Sequence, residues 1–201
     1  MAQREDLSVT FIDPTSARAR FDLLALPGVQ HVEVFRAVPV RLRNGPNSYR
    51  TGIRGVEPGG DISRLLDADL RPVVLPTEGI LLTDYLAQLL GVRVGDRLTV
   101  EVLEGNRPVR EVTVAALVRE YLGVSGYMHL DALNRFMQEG PTISGAYLSV
   151  DPAQMASLYA RLRDMPRVAG LAERRQEIRN FNRVMEETML FFTYVATIFA
   201  V

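Results

Sequence analysis

One pattern occurs twice in this chain, and it restricts the possible folds more than any other feature. Near the N terminus, the alternating stretch Leu7–Ile12 predicts a strand, and Asp13-Pro14 separates it from a helical pattern. Near the C terminus, Ala146–Val150 is followed in the same way by Asp151-Pro152 and a second helical pattern. Proline is favoured in the first turn of a helix, because its missing N–H would have no partner there. We therefore expect each Asp-Pro pair to end a strand and start a helix.

The two units also continue alike beyond their helices. Pro27-x-Val29 precedes a long strand from His31 to Arg43, and Pro166-x-Val168 starts another strand. Two strand–helix–strand units on either side of a long insertion are typical of the split β-α-β arrangement of ferredoxin-like domains, although Asp-Pro is by itself a common helix-start signal. We predict an α+β fold whose ferredoxin-like, or porter-like, base consists of residues 1–56 and 143–173.

Apolar periodicity indicates which side chains of the base face its core. We expect the first helix to bury Ala17, Phe21 and Leu24. Pro39 interrupts the long strand and indicates an edge or a bulge, because proline cannot donate a hydrogen bond to a neighbouring strand. For the second helix the expected core residues are Met155, Leu158, Tyr159 and Leu162, and for the long strand the expected hairpin is a turn at Asn44-Gly45-Pro46-Asn47 followed by Tyr49–Val56.

The intervening residues 57–142 are predicted to form an inserted β-rich lobe. Within it, Gly79–Val102 indicates a strand, a helix, a tight turn and a second strand. Gly91 stands where a left-handed residue would end that helix, whose expected apolar face is Leu86, Leu89 and Leu90. The lobe should also contain a short helix near Ile62–Leu66, a hairpin of Leu98–Leu103 and Val109–Val118 turned at Glu104-Gly105-Asn106, and a helix over Asp131–Gln138.

The C-terminal part of the sequence predicts one long helix from Leu171 onward. An amphipathic stripe of apolar residues at spacings of three and four widens into the uncharged run Thr188–Val201. At about 1.5 Å per residue this run would extend roughly 21 Å, which is less than the roughly 30 Å of a bilayer core. Both a buried terminal helix and the first part of a transmembrane helix fit that length. We favour the second, because the apolar side chains surround the helix; residues 174–201 would then link the domain to the membrane through a transmembrane segment at about 188–201.

Composition argues against several classes of function. The formal net charge is −1 with 23% charged residues, so the chain has no strong field with which to attract nucleic acid. All 23 basic residues are arginine, which we interpret as a coding bias. Cysteine is absent, so disulfides and thiolate metal sites are excluded.

The residues that could carry chemistry do not form recognisable sites in the sequence. His31 and His129 lack an H-x-x-x-H partner, and Gly55–Gly60 lacks both a P-loop lysine and the strand–helix context of a phosphate-binding loop. Ser125 is not part of a G-x-S-x-G elbow. We therefore predict no catalytic, cofactor-binding or metal-binding residues, and we expect a domain that is not an enzyme.

A resemblance to a known family rests on four segments of the lobe. Thr83–Ala87, Leu90-Gly91-Val92, Gly95-Asp96 and Leu98–Val102 together resemble the extracytoplasmic domain of ABC-transporter permeases of the FtsX-like and MacB-like family. The Leu26–Val29 segment (LPGV) resembles that family as well. A porter-like α+β part with an inserted β-rich part is what this resemblance implies, and it covers nearly the whole chain.

The resemblance also implies a location and a set of partners. The domain would lie on the periplasmic or extracellular side of the plasma (inner) membrane, anchored through its C-terminal helix. Its implied partners are a cognate ABC ATPase, a second permease half and a periplasmic adaptor or a lipid- or lipoprotein-like substrate, but no nucleic acid. Some such permeases act as mechanical transmitters. The alternative is a soluble ferredoxin-like module that binds a small ligand and buries its C-terminal helix.

Overall fold

The structure is a computed structural model that describes residues 2–3, 5–119 and 124–173 of the 201-residue chain. Its helices are α1 (Ala19–Leu24), α2 (Asp84–Leu90), α3 (Leu130–Met137) and α4 (Met155–Arg163). Its strands are β1 (Ala2–Gln3), β2 (Leu7–Ser16), β3 (Val29–Asn44), β4 (Asn47–Val56), β5 (Ser63–Arg64), β6 (Ile80–Thr83), β7 (Arg97–Val102), β8 (Val109–Val118), β9 (Gly126–His129), β10 (Thr142–Val150) and β11 (Val168–Glu173).

The base is an antiparallel sheet in the order β11-β2-β10-β3, with two helices on one face. Leu23 of α1 and Leu158 and Leu162 of α4 are buried in one cluster with apolar side chains of these strands. Leu7 pairs directly with Leu148, so the two repeated segments share one sheet, as predicted. α4, β10 and β11 likewise lie close to their predicted positions.

The first Asp-Pro pair was interpreted wrongly. Asp13-Pro14 lies inside β2, which continues to Ser16, and α1 begins only at Ala19. The partner register on β2 jumps from Thr15 to Thr10 between two closely spaced residues of β10, so residues 11–14 have no register partner on β10, and Pro14 needs none. The second pair ends its strand as predicted, at Val150, and the Asp151 carboxylate accepts a hydrogen bond from the Ala153 N–H at 2.9 Å, but α4 begins only at Met155, so Pro152 is not in its first turn.

The later start of α1 also changes its core face. Leu23 is the fully buried residue of this helix, whereas Phe21 is 68% exposed and Leu24 is half-exposed. Ala17, just before the helix, does pack against the base core as expected. The helix is only six residues long, so a shift of two or three positions in its start moves every side chain to a different face.

The inserted residues complete a closed ring of strands, the barrel. Starting from β3, hydrogen-bonded neighbours follow in the order β4, β9, β6, β8 and β7, and β7 pairs again with β3 at Val40–Arg43. Apolar side chains of these strands form one buried cluster with the inner faces of α2 and α3. Closing the ring leaves no unpaired edge on this part of the sheet.

The Gly79–Val102 stretch has the predicted order of elements, but the expectation that Leu89 faces the core was wrong. β6, α2 and β7 follow one another, and Gly91 ends α2 in the left-handed region with φ of 67°. Leu86 and Leu90 are fully buried, whereas Leu89 is 40% exposed. The β7–β8 hairpin and α3 also agree with the sequence analysis.

Two helix predictions were wrong within the described residues. The Ile62–Leu66 segment is extended, and its β5 residues pair with β1. The extension follows from Glu33, whose carboxylate accepts the backbone N–H groups of Asp61 and Ile62. Residues 171–173 belong to β11, and the rest of the predicted long helix, including Thr188–Val201, lies outside the described residues. Among the residues described, none of the helices has the length and apolar character needed to cross a bilayer.

The long strand β3 belongs to both parts of the molecule. Its first half pairs with β10 of the base, and Val40–Arg43 pairs with β7 of the barrel. Pro39 lies between these two pairing stretches, where only its carbonyl is used, as the acceptor of the Leu103 N–H at 2.9 Å. This position suits a residue that has no N–H to donate.

Adjacent leucines of α2 provide a matched test of the barrel core. We predict that Leu90→Ala lowers the free energy of unfolding by about 2–5 kcal/mol, because it leaves a cavity in the buried cluster. Leu89→Ala should cost less than about 1 kcal/mol, because Leu89 is half-exposed. Denaturant unfolding followed by circular dichroism measures both values. Equal losses for the two variants would show that the burial pattern of α2 is incorrect.

Candidate coupling site between base and barrel

Base and barrel meet where β3 passes from one to the other, and a buried arginine lies at this point. Arg36 is only 1% exposed. Its guanidinium donates to Glu104, in the turn between β7 and β8, and to both carboxylate oxygens of Glu139, which follows α3, at 3.2 Å. It also donates to the Ser144 hydroxyl of β10 at 2.9 Å. One side chain therefore connects both parts of the molecule.

The sequence contains a signal for this residue that periodicity analysis passed over. Even-numbered residues of β3 are apolar and buried on both sides of Arg36, namely Val32, Val34, Val38, Val40 and Leu42. A strand that alternates in this way should have an apolar residue at position 36. A charged side chain on a buried face requires partners of opposite charge, so this break in the pattern predicts distant carboxylates. Which carboxylates those are cannot be read from spacing.

Ser144 strengthens the same junction through the backbone. Its hydroxyl accepts a hydrogen bond from the Ala37 N–H at 3.1 Å and lies 3.2 Å from the Ala37 carbonyl, to which it can donate. The cluster formed by Arg36, Glu104, Glu139 and Ser144, which we call the Arg36 clamp, thus fixes β3 and β10 of the base to two segments of the barrel. Its two carboxylates keep more than a quarter of their side-chain surface in contact with solvent.

A second group of contacts holds the segment that leaves β4. The buried carboxylate of Glu33 accepts N–H groups from Asp61 and from Ile62, the latter at 2.7 Å. A Cβ on Gly60 would lie 2.7 Å from a carboxylate oxygen of Glu33, so any larger residue here would displace that carboxylate. Arg20 of α1 also bonds to Glu57 of the same segment at 2.9 Å. The first residues of the insertion are therefore tied to the base.

Aromatic packing forms the third contact of the junction. Phe35 of β3 stacks on Tyr147 of β10 with ring centroids 4.7 Å apart. The Arg54 guanidinium of β4 lies 5.7 Å from the Phe35 ring and donates to the Tyr147 hydroxyl at 3.0 Å. Burial raises the pKa of Tyr147 above its ordinary value of 10.0, and the nearby Arg54 charge acts in the opposite direction.

The structure brings together both histidines that the sequence analysis weighed. His31 and His129 line one open cavity of about 410 Å³ between base and barrel. His31 Nε2 lies 3.5 Å from a Glu33 oxygen, and His129 caps α3 by accepting the Asp131 N–H at 3.3 Å. No group of three or more His, Asp or Glu side chains is arranged to hold a metal ion within the described part of the chain. Ser125 contributes its carbonyl, which accepts the Thr83 N–H at 3.3 Å.

Two solved structures share this architecture. The periplasmic region of MacB from Actinobacillus actinomycetemcomitans is similar with a TM-score of 0.57 and 12% sequence identity, covering 90% of this chain and 94% of that one. The extracellular domain of the noncanonic ABC-type transporter YknZ from Gram-positive bacteria has a TM-score of 0.53 and 15% identity, covering 77% and 87% respectively. No protein-family model and no curated protein matches the chain.

These similarities confirm the resemblance found in the sequence at the level of the fold. Nearly the whole length of both solved domains is covered, so the likeness extends over base and barrel together. The first is a periplasmic region, and the second is the extracellular domain of an ABC-type transporter. A shared fold does not by itself fix function, so the role of this chain is argued separately from its own contacts.

Removing the charge of the clamp tests its energetic role. We predict that Arg36→Met lowers the free energy of unfolding by about 3 kcal/mol, because Glu104 and Glu139 are left facing each other without a cation. Arg43→Met is the matched control: Arg43 pairs with Glu101 at 2.6 Å but is half-exposed, and its loss should cost under about 1 kcal/mol. Denaturant unfolding of both variants at one pH measures the two losses in the free energy of unfolding. Equal losses would mean that the clamp contributes no more than a surface ion pair.

Because burial raises the pKa of Tyr147, we predict that this residue makes the folded chain lose stability at alkaline pH. Above about pH 10 the unfolded chain releases this phenolic proton while the folded chain retains it, so stability falls as pH rises toward the folded-state pKa. Replacing Tyr147 by Phe should remove this part of the pH dependence, whereas Tyr49→Phe, at a partly exposed position, should leave it. Unfolding free energies measured at pH 9 and pH 11 give the comparison. The prediction fails if Tyr147→Phe loses as much stability as the unaltered chain over this interval.

Proposed function

We propose that this chain is the extracytoplasmic domain of an ABC-transporter permease subunit, and that it passes ATP-driven motion of the membrane part to a substrate or partner outside the cytoplasm. The similarity in fold to the MacB and YknZ domains supports the general kind of protein. The strand order β11-β2-β10-β3 with α1 and α4 on one face supports the ferredoxin-like, porter-like description of the base. No catalytic step is assigned to this domain.

The observation that carries the proposal is the position of the two ends of the domain. Leu7 at the start of β2 and Glu173 at the end of β11 are cross-strand partners. Because β2 and β11 are neighbours, the domain can be inserted between two membrane segments without long linkers. Movement of two such segments would act on β2 and β11 together.

The continuous strand β3 offers a route for that movement. Leu7 of β2 pairs with Leu148 of β10, and Leu148 pairs on its other side with Val32 of β3. From Val32, β3 continues to Asn44 at the far end of the barrel. At about 3.3 Å per residue the distance from Val32 to Asn44 is roughly 40 Å. The Arg36 clamp stands along this path and would make base and barrel move as one body.

The proposed partners follow from this arrangement. The domain would be attached to the plasma (inner) membrane through residues 174–201, with a cognate ABC ATPase on the cytoplasmic side and a second permease half beside it. A periplasmic adaptor or a lipid- or lipoprotein-like substrate would meet the domain outside the cytoplasm. None of these 201 residues is cysteine, so a cysteine introduced into the domain is the only one within it and can be labelled selectively there.

The location is tested with single cysteines in the intact permease subunit. We predict that Arg97→Cys, at an exposed position of β7, reacts with a membrane-impermeant maleimide in intact cells or spheroplasts. Leu82→Cys, which is fully buried, should react only after unfolding and serves as the control for labelling of unfolded chains. Labelling of position 97 only after the membrane is broken would contradict an extracytoplasmic location.

Coupling is tested with a fluorescent label on the same cysteine at position 97. In membranes that contain the permease and its ATPase, trapping with ATP and vanadate should change the label's emission relative to the nucleotide-free state. Arg36→Met should reduce this change and Arg43→Met should not. If no variant responds to nucleotide while outside labelling succeeds, the domain is extracytoplasmic but does not receive ATP-driven motion.

A further inference from the structure

The loop between β5 and β6 holds a leucine in a strained and exposed position. Leu70 has a φ of 62°, in the left-handed region that disfavours residues with a Cβ, and is 75% exposed. Neither burial nor backbone geometry of the domain explains a leucine here, since glycine would occupy the same conformation without cost. Strain at an exposed position is a reason to look for a function of the side chain.

The loop that presents Leu70 is rigidly built. The Asp67 carboxylate accepts the backbone N–H groups of Asp69 and Arg71 at 2.9 and 2.8 Å. The backbone of Asp67 donates to the Arg71 carbonyl at 3.0 Å, and its own carbonyl accepts the Leu70 N–H at 3.1 Å. An antiparallel β-bridge between Leu66 and Pro72 joins the two ends of the loop. Leu70 is thus fixed at the tip, and little conformational freedom would be lost on contact with a partner.

The charges on either side of Leu70 are opposite and unused. Asp69 and Arg71 are exposed, and within the described residues neither side chain has an ion pair or hydrogen bond. Two-fold symmetry places the same surface of two subunits face to face, so residue i of one contacts residue j of the other in both directions. With an axis through Leu70, Asp69 of each copy would face Arg71 of the other, with the two leucines between these pairs.

We propose that the tip Asp69-Leu70-Arg71 is a two-fold contact between two copies of this chain. Val74, which is 87% exposed in the same segment, would add apolar area beside it. The patch is small, so the contact is weak between free domains and gains strength when two copies are held near each other, as by a shared membrane or micelle. The inference does not rest on the permease proposal, because all its features lie in this chain.

The natural absence of cysteine provides the first test. In the full 201-residue chain in detergent micelles, Leu70→Cys keeps a small apolar side chain at the tip. It should form a disulfide-linked dimer under mild oxidation about tenfold faster than Val109→Cys, which replaces an apolar residue of 62% exposure. Association driven by the apolar run Thr188–Val201 would cross-link both variants alike. Equal rates at positions 70 and 109 would overturn the proposal.

Charge reversal tests the geometry of the contact. In the Leu70→Cys chain, Asp69→Arg or Arg71→Asp alone puts like charges opposite each other and should slow cross-linking several-fold. The double variant Asp69→Arg/Arg71→Asp restores opposite charges with reversed polarity and should recover the original rate. A double variant as slow as the single variants would rule out the two-fold pairing.

Leu70→Gly separates association from folding. Glycine relieves the left-handed strain, so the melting temperature should stay the same or rise, while the dimer fraction in analytical ultracentrifugation should fall. An unchanged dimer fraction in a folded Leu70→Gly chain would show that the leucine has no part in the contact and would overturn the proposal.

Discussion

A single buried cation determines how the two parts of this molecule are joined. Arg36 lies on the inner face of β3, where water cannot reach its charge, so its carboxylate partners must come from elsewhere in the fold. Glu104 and Glu139 provide them from two separate segments of the barrel, and Ser144 adds a contact from the base. A hydrophobic side chain at position 36 could be buried against many surfaces, whereas the guanidinium demands these particular neighbours. The charge therefore specifies one relative placement of base and barrel.

The remaining contacts of the junction also fix the segments around β3, through backbone hydrogen bonds and aromatic packing. Glu33 fixes the first residues of the insertion through their backbone N–H groups, and the Phe35–Tyr147 stack joins neighbouring strands of the base. All of these contacts involve β3, whose sixteen residues run through both parts without a break. The junction is thus a continuous strand held on both sides, which differs from a hinge between two domains.

Elements that depend on local sequence signals were predicted correctly, whereas elements that depend on tertiary contacts were not. The Gly79–Val102 stretch was predicted correctly because its periodicity, its helix-ending glycine and its turn all agree. Asp13-Pro14 and Ile62–Leu66 were misread because tertiary contacts, a strand bulge and the Glu33 carboxylate, override their local signals. Arg36 interrupts a clear alternation, so its burial was open to prediction, but its carboxylate partners lie 68 and 103 residues away and no spacing rule connects them.

The insertion of the barrel into the base has a consequence for how the chain acquires its fold. The strands of the ring, β3, β4 and β6 to β9, are close together in sequence and can close it as soon as residues up to His129 are available. β2, in contrast, has both of its partners, β10 and β11, beyond that ring and must remain unpaired until the last third of the domain has emerged. Long-range pairing of this kind is slow and leaves an apolar strand open in the meantime. β2 is therefore synthesised before the strands of the ring but is among the last to be protected, and chaperones that act during synthesis or export would encounter it unpaired.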